Sequence, residues 1–305
     1  MIVGAETMAE AAIDGFGMGG AIVESRFAAY AATLAGVFGA GVGMAQAGEP
    51  KDWQFGFQEP ASLTMDRIDG FHDFVTIIAV AISIFVMVLL LIVIFKFNER
   101  ANPTPTTTTH NMLLEVLWTA GPVLILIIIA VPSFKLLYYA DRVENPDMTL
   151  KITGNQWYWS YEYPDYGNFG FDANMVSDVD IAKNPNLKRL MDTDNRVVLP
   201  VGKRIQLLMT SNDVLHNWGI PSFGIKLDTV PGRLNETWVQ ITKPGVYYGF
   251  CSELCGVNHS YMPVAIEAVS PEDFAIWVEA AQKKYARQDE PAKRLLQLAK
   301  NKAAD

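Results

Sequence analysis

The chain has 305 residues, half of them apolar and only 19% charged where soluble domains carry about 25%, and its mean hydropathy of +0.15 places part of it in lipid. Thirty-three acidic residues against 24 basic ones give a formal net charge of −9, which argues against a nucleic-acid partner and favours a basic one. Two cysteines exclude a disulfide-built scaffold and any four-cysteine zinc site.

Three stretches lack charge over a membrane-relevant length: 27–48, 74–95 and 116–134. The first is rich in Ala and Gly and ends in Ala45-Gln46-Ala47. Small residues at that spacing after an apolar run mark a signal peptidase site. Residues 1–47 are therefore expected to be a removed leader, with the mature chain starting near Gly48 and a periplasmic segment over 48–73. A third membrane helix is the other reading of this stretch.

The second stretch is V-T-I-I-A-V-A-I-S-I-F-V-M-V-L-L-L-I-V-I-F, apolar on every side, and predicts a transmembrane helix over 74–96. The third contains Pro122 and Pro132, which a membrane helix tolerates. With Trp118 near one end and Tyr138 and Tyr139 near the other, it predicts a helix over 113–138. The polar loop 97–112 joins the two into a hairpin. Lys96 and Arg100 in that loop balance Lys51 and Arg67 before the first helix, so loop charge does not set the orientation. The leader does. It places the loop in the cytoplasm and everything after the hairpin in the periplasm, as a two-helix protein of the cell inner membrane.

From 147 to 269 the texture changes to short runs rich in Val, Ile, Thr, Trp and Tyr, at 148–153, 156–163, 196–199, 204–210, 236–241, 245–250 and 264–268. Gly and Pro punctuate them, which reads as a β-sandwich or barrel. Residues 141–270 hold 15 Asp and Glu against 11 Lys and Arg, net −4. Residues 165–194 read as a polar insertion without a strand. Ser270, Pro271 and Asp273 predict a helix start, and residues 270–305 a C-terminal helix and tail that is helical and mobile from Arg287.

Both cysteines and half the histidines fall in two short segments, Asp213-Val-Leu-His216-Asn-Trp218 and Cys251-Ser-Glu253-Leu-Cys255-Gly-Val-Asn-His259-Ser-Tyr-Met262. Soft sulfur with imidazole selects copper. Two thiolates can bridge two metal ions, each also holding one histidine, with Met262 and the Glu253 carbonyl as weak outer ligands. The two cysteines taken alone read equally as a disulfide. Neither apolar stretch, 74–95 or 116–134, contains histidine, so neither offers a haem ligand, and the chain has no C-x-x-C-H haem-attachment motif.

The string C-x-E-x-C-x-x-x-H-x-x-M resembles the copper A motif of cytochrome c oxidase subunit II, of α-proteobacterial type, at every liganding position. G-N-Q-W-Y-W-S-Y-E-Y at 154–163 and L-D-T-V-P-G-R-L-N at 227–235 resemble two further blocks of that family. The resemblance implies a two-helix transmembrane hairpin followed by an all-β cupredoxin-like domain. It implies a binuclear copper A centre held by His216, Cys251, Glu253, Cys255, His259 and Met262. The Glu253 side chain would reach a magnesium or manganese ion at the boundary with subunit I. Trp157 would be the point of electron uptake from cytochrome c, with Glu162, Asp213 and Asp228 facing that partner's lysines. Glu115 would be the mouth of a proton path into subunit I, and subunit III would complete the assembly. A stand-alone membrane-tethered cupredoxin carrier is the alternative, but it needs neither two bridging cysteines nor Glu115.

Overall fold

A computed structural model describes residues 48–141 and 144–285; the expected leader and the tail beyond 285 lie outside the described residues. Two long helices come first, α1 at Leu63–Lys96 and α2 at Met112–Asp141. The Ser62 hydroxyl caps α1 by accepting from the Met65 amide. The helix starts well ahead of the apolar run, and its first turns carry Asp66, Arg67, Asp69 and Asp73. α2 runs through Pro122 and Pro132 without ending. Only Thr64 and Met65 of α1 and no residue of α2 are buried. At 34 residues α1 is about 51 Å long, more than a bilayer core needs.

Ten strands follow in two five-stranded sheets. The first contains β1 (Met148–Asn155), β2 (Tyr158–Tyr163), β3 (Phe169–Ala173), β5 (Arg204–Ser211) and β8 (Asn235–Gln240), in the order β3-β2-β1-β5-β8. The second contains β4 (Val197–Pro200), β6 (His216–Ile220), β7 (Ile225–Thr229), β9 (Gly245–Cys251) and β10 (Val264–Val269), in the order β4-β10-β9-β6-β7. The β1–β5 and β4–β10 pairs are parallel and the others antiparallel. Leu150 and Ile152 alternate with half-exposed neighbours and meet Leu207, Val239, Leu199 and Ile266 in a core that excludes water.

The span 165–194, expected to hold no strand, contains β3, paired to β2, and the short helix α3 (Asp178–Lys183). Phe169 and Phe171 point inward there and pack on Tyr163, which outweighs the polar composition around them. The segment after α3 is pinned by buried Asp192. That carboxylate takes two bonds from Arg196 (2.8 and 2.6 Å) and one from the Tyr248 hydroxyl (3.3 Å). β6 and β7 were not foreseen either. The last helix, α4 (Pro271–Lys284), is capped by Ser270 as expected and buries Phe274, Val278 and Ala281 at i, i+4 and i+7.

The hairpin joins the sandwich through direct bonds. Trp238 Nε1 donates to the Tyr139 carbonyl (2.9 Å), Thr237 Oγ1 to the Ala140 carbonyl (3.1 Å) and Ser62 Oγ to the Phe223 carbonyl (2.7 Å).

Candidate metal centre

His216 opens β6 and Cys251 closes β9. The antiparallel pairing sets Trp218 opposite Cys251, so both potential ligands lie at the same end of the second sheet. The chain then loops through Cys255 and the turn His259–Tyr261 before β10 begins. Cys251 and Cys255 are free thiols with sulfurs 3.8 Å apart. His216 Nδ1 is 4.0 Å from the Cys251 sulfur, and His259 Nδ1 is 3.5 Å from the Cys255 sulfur. Met262 Sδ lies 3.5 Å from the Cys255 sulfur and the Glu253 carbonyl 3.3 Å from the Cys251 sulfur. The predicted ligand set thus converges in one place.

The donor set fits a shared metal pair. A thiolate binds a transition metal at about 2.3 Å, so two sulfurs bridging one ion lie within about 4.6 Å of each other. The observed 3.8 Å meets that limit. Each sulfur has its own imidazole, and the thioether closes the set with a soft, weak donor. Cys251, Cys255 and Met262 are buried, which keeps water out.

Burial pushes both thiols up. At Cys251 bonds from His216, from the backbone at Asn217 and Glu253 and from His259 outweigh it and bring the thiol down to about 7. At Cys255 one backbone bond opposes too weakly; burial and the neighbouring Cys251 charge push it up to about 12. A metal ion held by both sulfurs displaces the proton each still carries, and Cys251 gives its proton up more readily than Cys255.

Supporting residues hold the ligands in place. Asp213 Oδ1 takes a bond from His216 Nε2 at 2.8 Å, which leaves Nδ1 as the lone-pair nitrogen facing Cys251. Burial opposes the charge on both members of this pair. The bond nevertheless holds the His216 pKa up, together with Cys251, and the Asp213 pKa down, together with the Val214 and Gln156 amides. A Cβ at Gly154 would come within 2.8 Å of the His216 ring, so only glycine fits there. Trp159 lies edge-on to His216 at 5.9 Å and donates to the Met262 carbonyl at 3.2 Å.

The remaining predicted residues divide by position. Trp157 Nε1 donates to the Cys255 carbonyl at 3.1 Å, and Gln156 Nε2 to the same oxygen at 2.8 Å. Asp213 is engaged with His216, and Glu162 pairs with Lys151 at 2.9 Å. Asp228 is exposed and accepts from Asn217 Nδ2 at 2.6 Å, while Asn217 Oδ1 accepts from Ser252 of the ligand loop. The Glu253 side chain is exposed. Glu115 sits in the first turn of α2, about 39 Å along the helix from Asp141, and takes no part in this cluster. Gln156, Trp159 and Gly154 were missed by sequence reasoning. They sit inside the aromatic block already singled out, but their partners lie 57 to 103 residues away.

A two-helix hairpin carrying a cupredoxin-like sandwich with a dithiolate, diimidazole and thioether cluster defines a membrane-anchored cupredoxin-type protein. Residues 148–269 match the family model for the periplasmic domain of cytochrome c oxidase subunit II, and residues 50–136 match that for its transmembrane domain. The chain is 51% identical over 247 residues to a probable cytochrome c oxidase subunit 2 of Rickettsia bellii, covering 81% of this chain and 91% of that protein. It is 48% identical over 232 residues to a cytochrome c oxidase subunit 2 of Phytophthora megasperma, covering 74% and 86%. A crystal structure of the periplasmic domain of subunit II of cytochrome oxidase from Bradyrhizobium japonicum shares 49% identity. It covers 47% of this chain and 99% of that one, with a TM-score of 0.43. The chain belongs to the cytochrome c oxidase subunit II family.

Proposed function

We propose that this chain is the electron-accepting subunit of a cytochrome c oxidase. It takes electrons from a periplasmic cytochrome c and hands them to haem in subunit I, where oxygen is reduced to water with proton pumping. The carrying observation is the pair of free thiols 3.8 Å apart, each facing its own imidazole. Cys251, Cys255, His216, His259, Met262 and the Glu253 carbonyl would hold the copper pair. Held by these residues, a copper pair would supply a one-electron carrier whose charge is shared between two ions, so little would need to rearrange on reduction.

The chain's own residues do the rest. Asp213 fixes the His216 ring, and the buried sulfurs exclude water. The Trp157 ring leads from the surface to the Cys255 carbonyl, which supports it as the point of uptake. Glu162, Asp213 and Asp228 face the cytochrome, with the engagements described above. The exposed Glu253 carboxylate would take a magnesium or manganese ion at the subunit I boundary, and Glu115 would open the proton path. Residues 1–47 would be removed, leaving an inner-membrane hairpin at 74–96 and 113–138, with the copper domain at 147–269 in the periplasm and subunit III alongside.

The soluble fragment from about Asp147 tests this. Loaded with copper, it should bind two ions and show a delocalised mixed-valence EPR signal with near-infrared absorption. Cys251→Ser or Cys255→Ser should abolish both, because an alcohol is a poor substitute for a bridging thiolate. A single, localised copper in the unmodified fragment would refute the reading.

A further inference from the structure

Between the outer ends of α1 and α2 lies a cleft of about 420 Å³ that electron transfer does not use. Arg67, Gly70, Phe71 and Phe74 recur at i, i+3, i+4 and i+7 on α1, and Pro132, Lys135 and Leu136 begin the same pattern on α2. Each helix therefore turns one face to the cleft. A Cβ built on Gly70 meets nothing within 4 Å, so the cleft is open at that level.

Its two cations are placed for a ligand. The Arg67 guanidinium lies 3.4 Å over the ring of Tyr139, which Trp238 backs from the sandwich side at 5.2 Å. The stack fixes the guanidinium but leaves its N–H donors at the ring edge free to point outward. Among the described residues neither Arg67 nor Lys135 forms an ion pair. Asp66, Asp69 and Asp73 lie off the cleft face, about 100° to 160° round α1 from Arg67.

Depth gives the third constraint. Arg67 is seven residues, about 10 Å, above Phe74, where the charge-free run of α1 begins. Lys135 is the first residue beyond the charge-free run 116–134 of α2. The cations thus sit at headgroup level with Leu136 beside them, and Phe71, Phe74 and Pro132 continue the cleft toward the acyl level. We propose that this cleft binds an anionic phospholipid of the outer leaflet, its phosphate held by Arg67 and Lys135 and one acyl chain lying along the apolar walls. The inference rests on the hairpin lying in a membrane and is independent of the copper chemistry. An apolar floor beneath paired cations suits an amphiphile better than a soluble anion.

Native mass spectrometry of the purified oxidase complex, titrated with phosphatidylglycerol in detergent, tests the site. The double variant Arg67→Gln, Lys135→Gln should lose one tightly held phosphatidylglycerol, with retention about 30-fold weaker. Arg67→Lys should keep most of it. Gly70→Leu, which fills the cleft without altering charge, should lose it too. Phosphatidylcholine and excess inorganic phosphate should not compete, and the copper-centre spectrum should be unchanged in every variant. Equal retention in all variants, or displacement by inorganic phosphate alone, would overturn the proposal. So would a cross-link from Lys135 to a carboxylate of a neighbouring subunit, which would show protein filling the cleft.

Discussion

The hairpin and the sandwich hold their apolar residues in opposite ways. In the sandwich Leu150, Ile152, Leu207 and Val239 have no exposed surface and sit between two sheets. In α1 the run 74–95 is apolar all round, and Phe85 and Ile94 remain more than half exposed. The sandwich makes its own core, while the hairpin depends on lipid for the same free energy, roughly 25 cal/mol per Å² of apolar surface removed from water. Every proposed metal ligand belongs to the self-sufficient part. The hairpin contributes position, through its bonds to β8 and to the turn at Pro221–Phe223. Chemistry and anchorage are therefore separable, and each can be perturbed alone.

The largest expected effect is alkaline unfolding of the sandwich alone. Burial pushes Tyr247 and Tyr248 up to about 12, and it raises Tyr161 and Tyr163 as well. An acid whose folded pKa is raised holds its proton more tightly when folded. Stability is therefore full below the unfolded value near 10 and falls as pH rises through the folded values. The loss is up to about 1.4 kcal/mol per pH unit for each group. Urea midpoints of the soluble fragment should drop steeply above pH 10, while the helical signal of the full chain in lipid survives. Helices and strands lost together at one pH would break the comparison.

Next comes Asp192→Ala. Asp192 has no exposed surface, and its removal takes away the bonds that Arg196 and Tyr248 make to it, leaving Arg196 only the longer pair to Glu267 at 3.7 Å. The cost should be about 3 kcal/mol, again confined to the sandwich and readable as a lower urea midpoint. Asp213→Asn should act on the metal centre without unfolding anything. Loss of the charge that holds His216 should weaken copper binding about 10- to 100-fold. An unchanged affinity would return Asp213 to the surface carboxylates.

How much of this was legible differs between the two regions for physical reasons. The hairpin was readable because lipid makes one demand, an apolar run of fixed length. Seven strands were readable because Val, Ile, Thr, Trp and Tyr cluster there between Gly and Pro. β6, His-Asn-Trp-Gly-Ile, was not, because His216, Asn217 and Gly219 break that texture although all five residues are buried. β3 was hidden in a span dominated by Asp, Asn and Gly. The ligand set was legible because sulfur and imidazole at that spacing have few other uses. The second role of Asp213 left a trace, an acid three residues before a ligand histidine. Nothing in the sequence pairs Gln156 with Cys255.

The smallest effect separates docking from electron uptake. Of the three carboxylates expected to face cytochrome c, Asp213 is engaged with His216, and neutralising it would confound charge with copper affinity. Glu162 is paired with Lys151, so its removal exposes an opposing cation as well. Asp228 is exposed, and its tie to Asn217 is neutral, which makes Asp228→Asn the cleanest probe. An exposed charge is worth about 0.2–1 kcal/mol, so reduction by cytochrome c should slow about 1.4- to fivefold at low salt. The deficit should fade as salt shortens the Debye length to about 10 Å at 0.1 M. Trp157→Gln should leave that salt slope intact and strongly slow electron transfer at every ionic strength, because it removes the ring bonded to the Cys255 carbonyl rather than a charge. Stopped-flow reduction across a salt series distinguishes the two. A normal rate in the Trp157 variant would move the point of uptake elsewhere on the copper loop, and a salt-independent deficit in Asp228→Asn would make that residue a support for Asn217 and Ser252 instead of a docking contact.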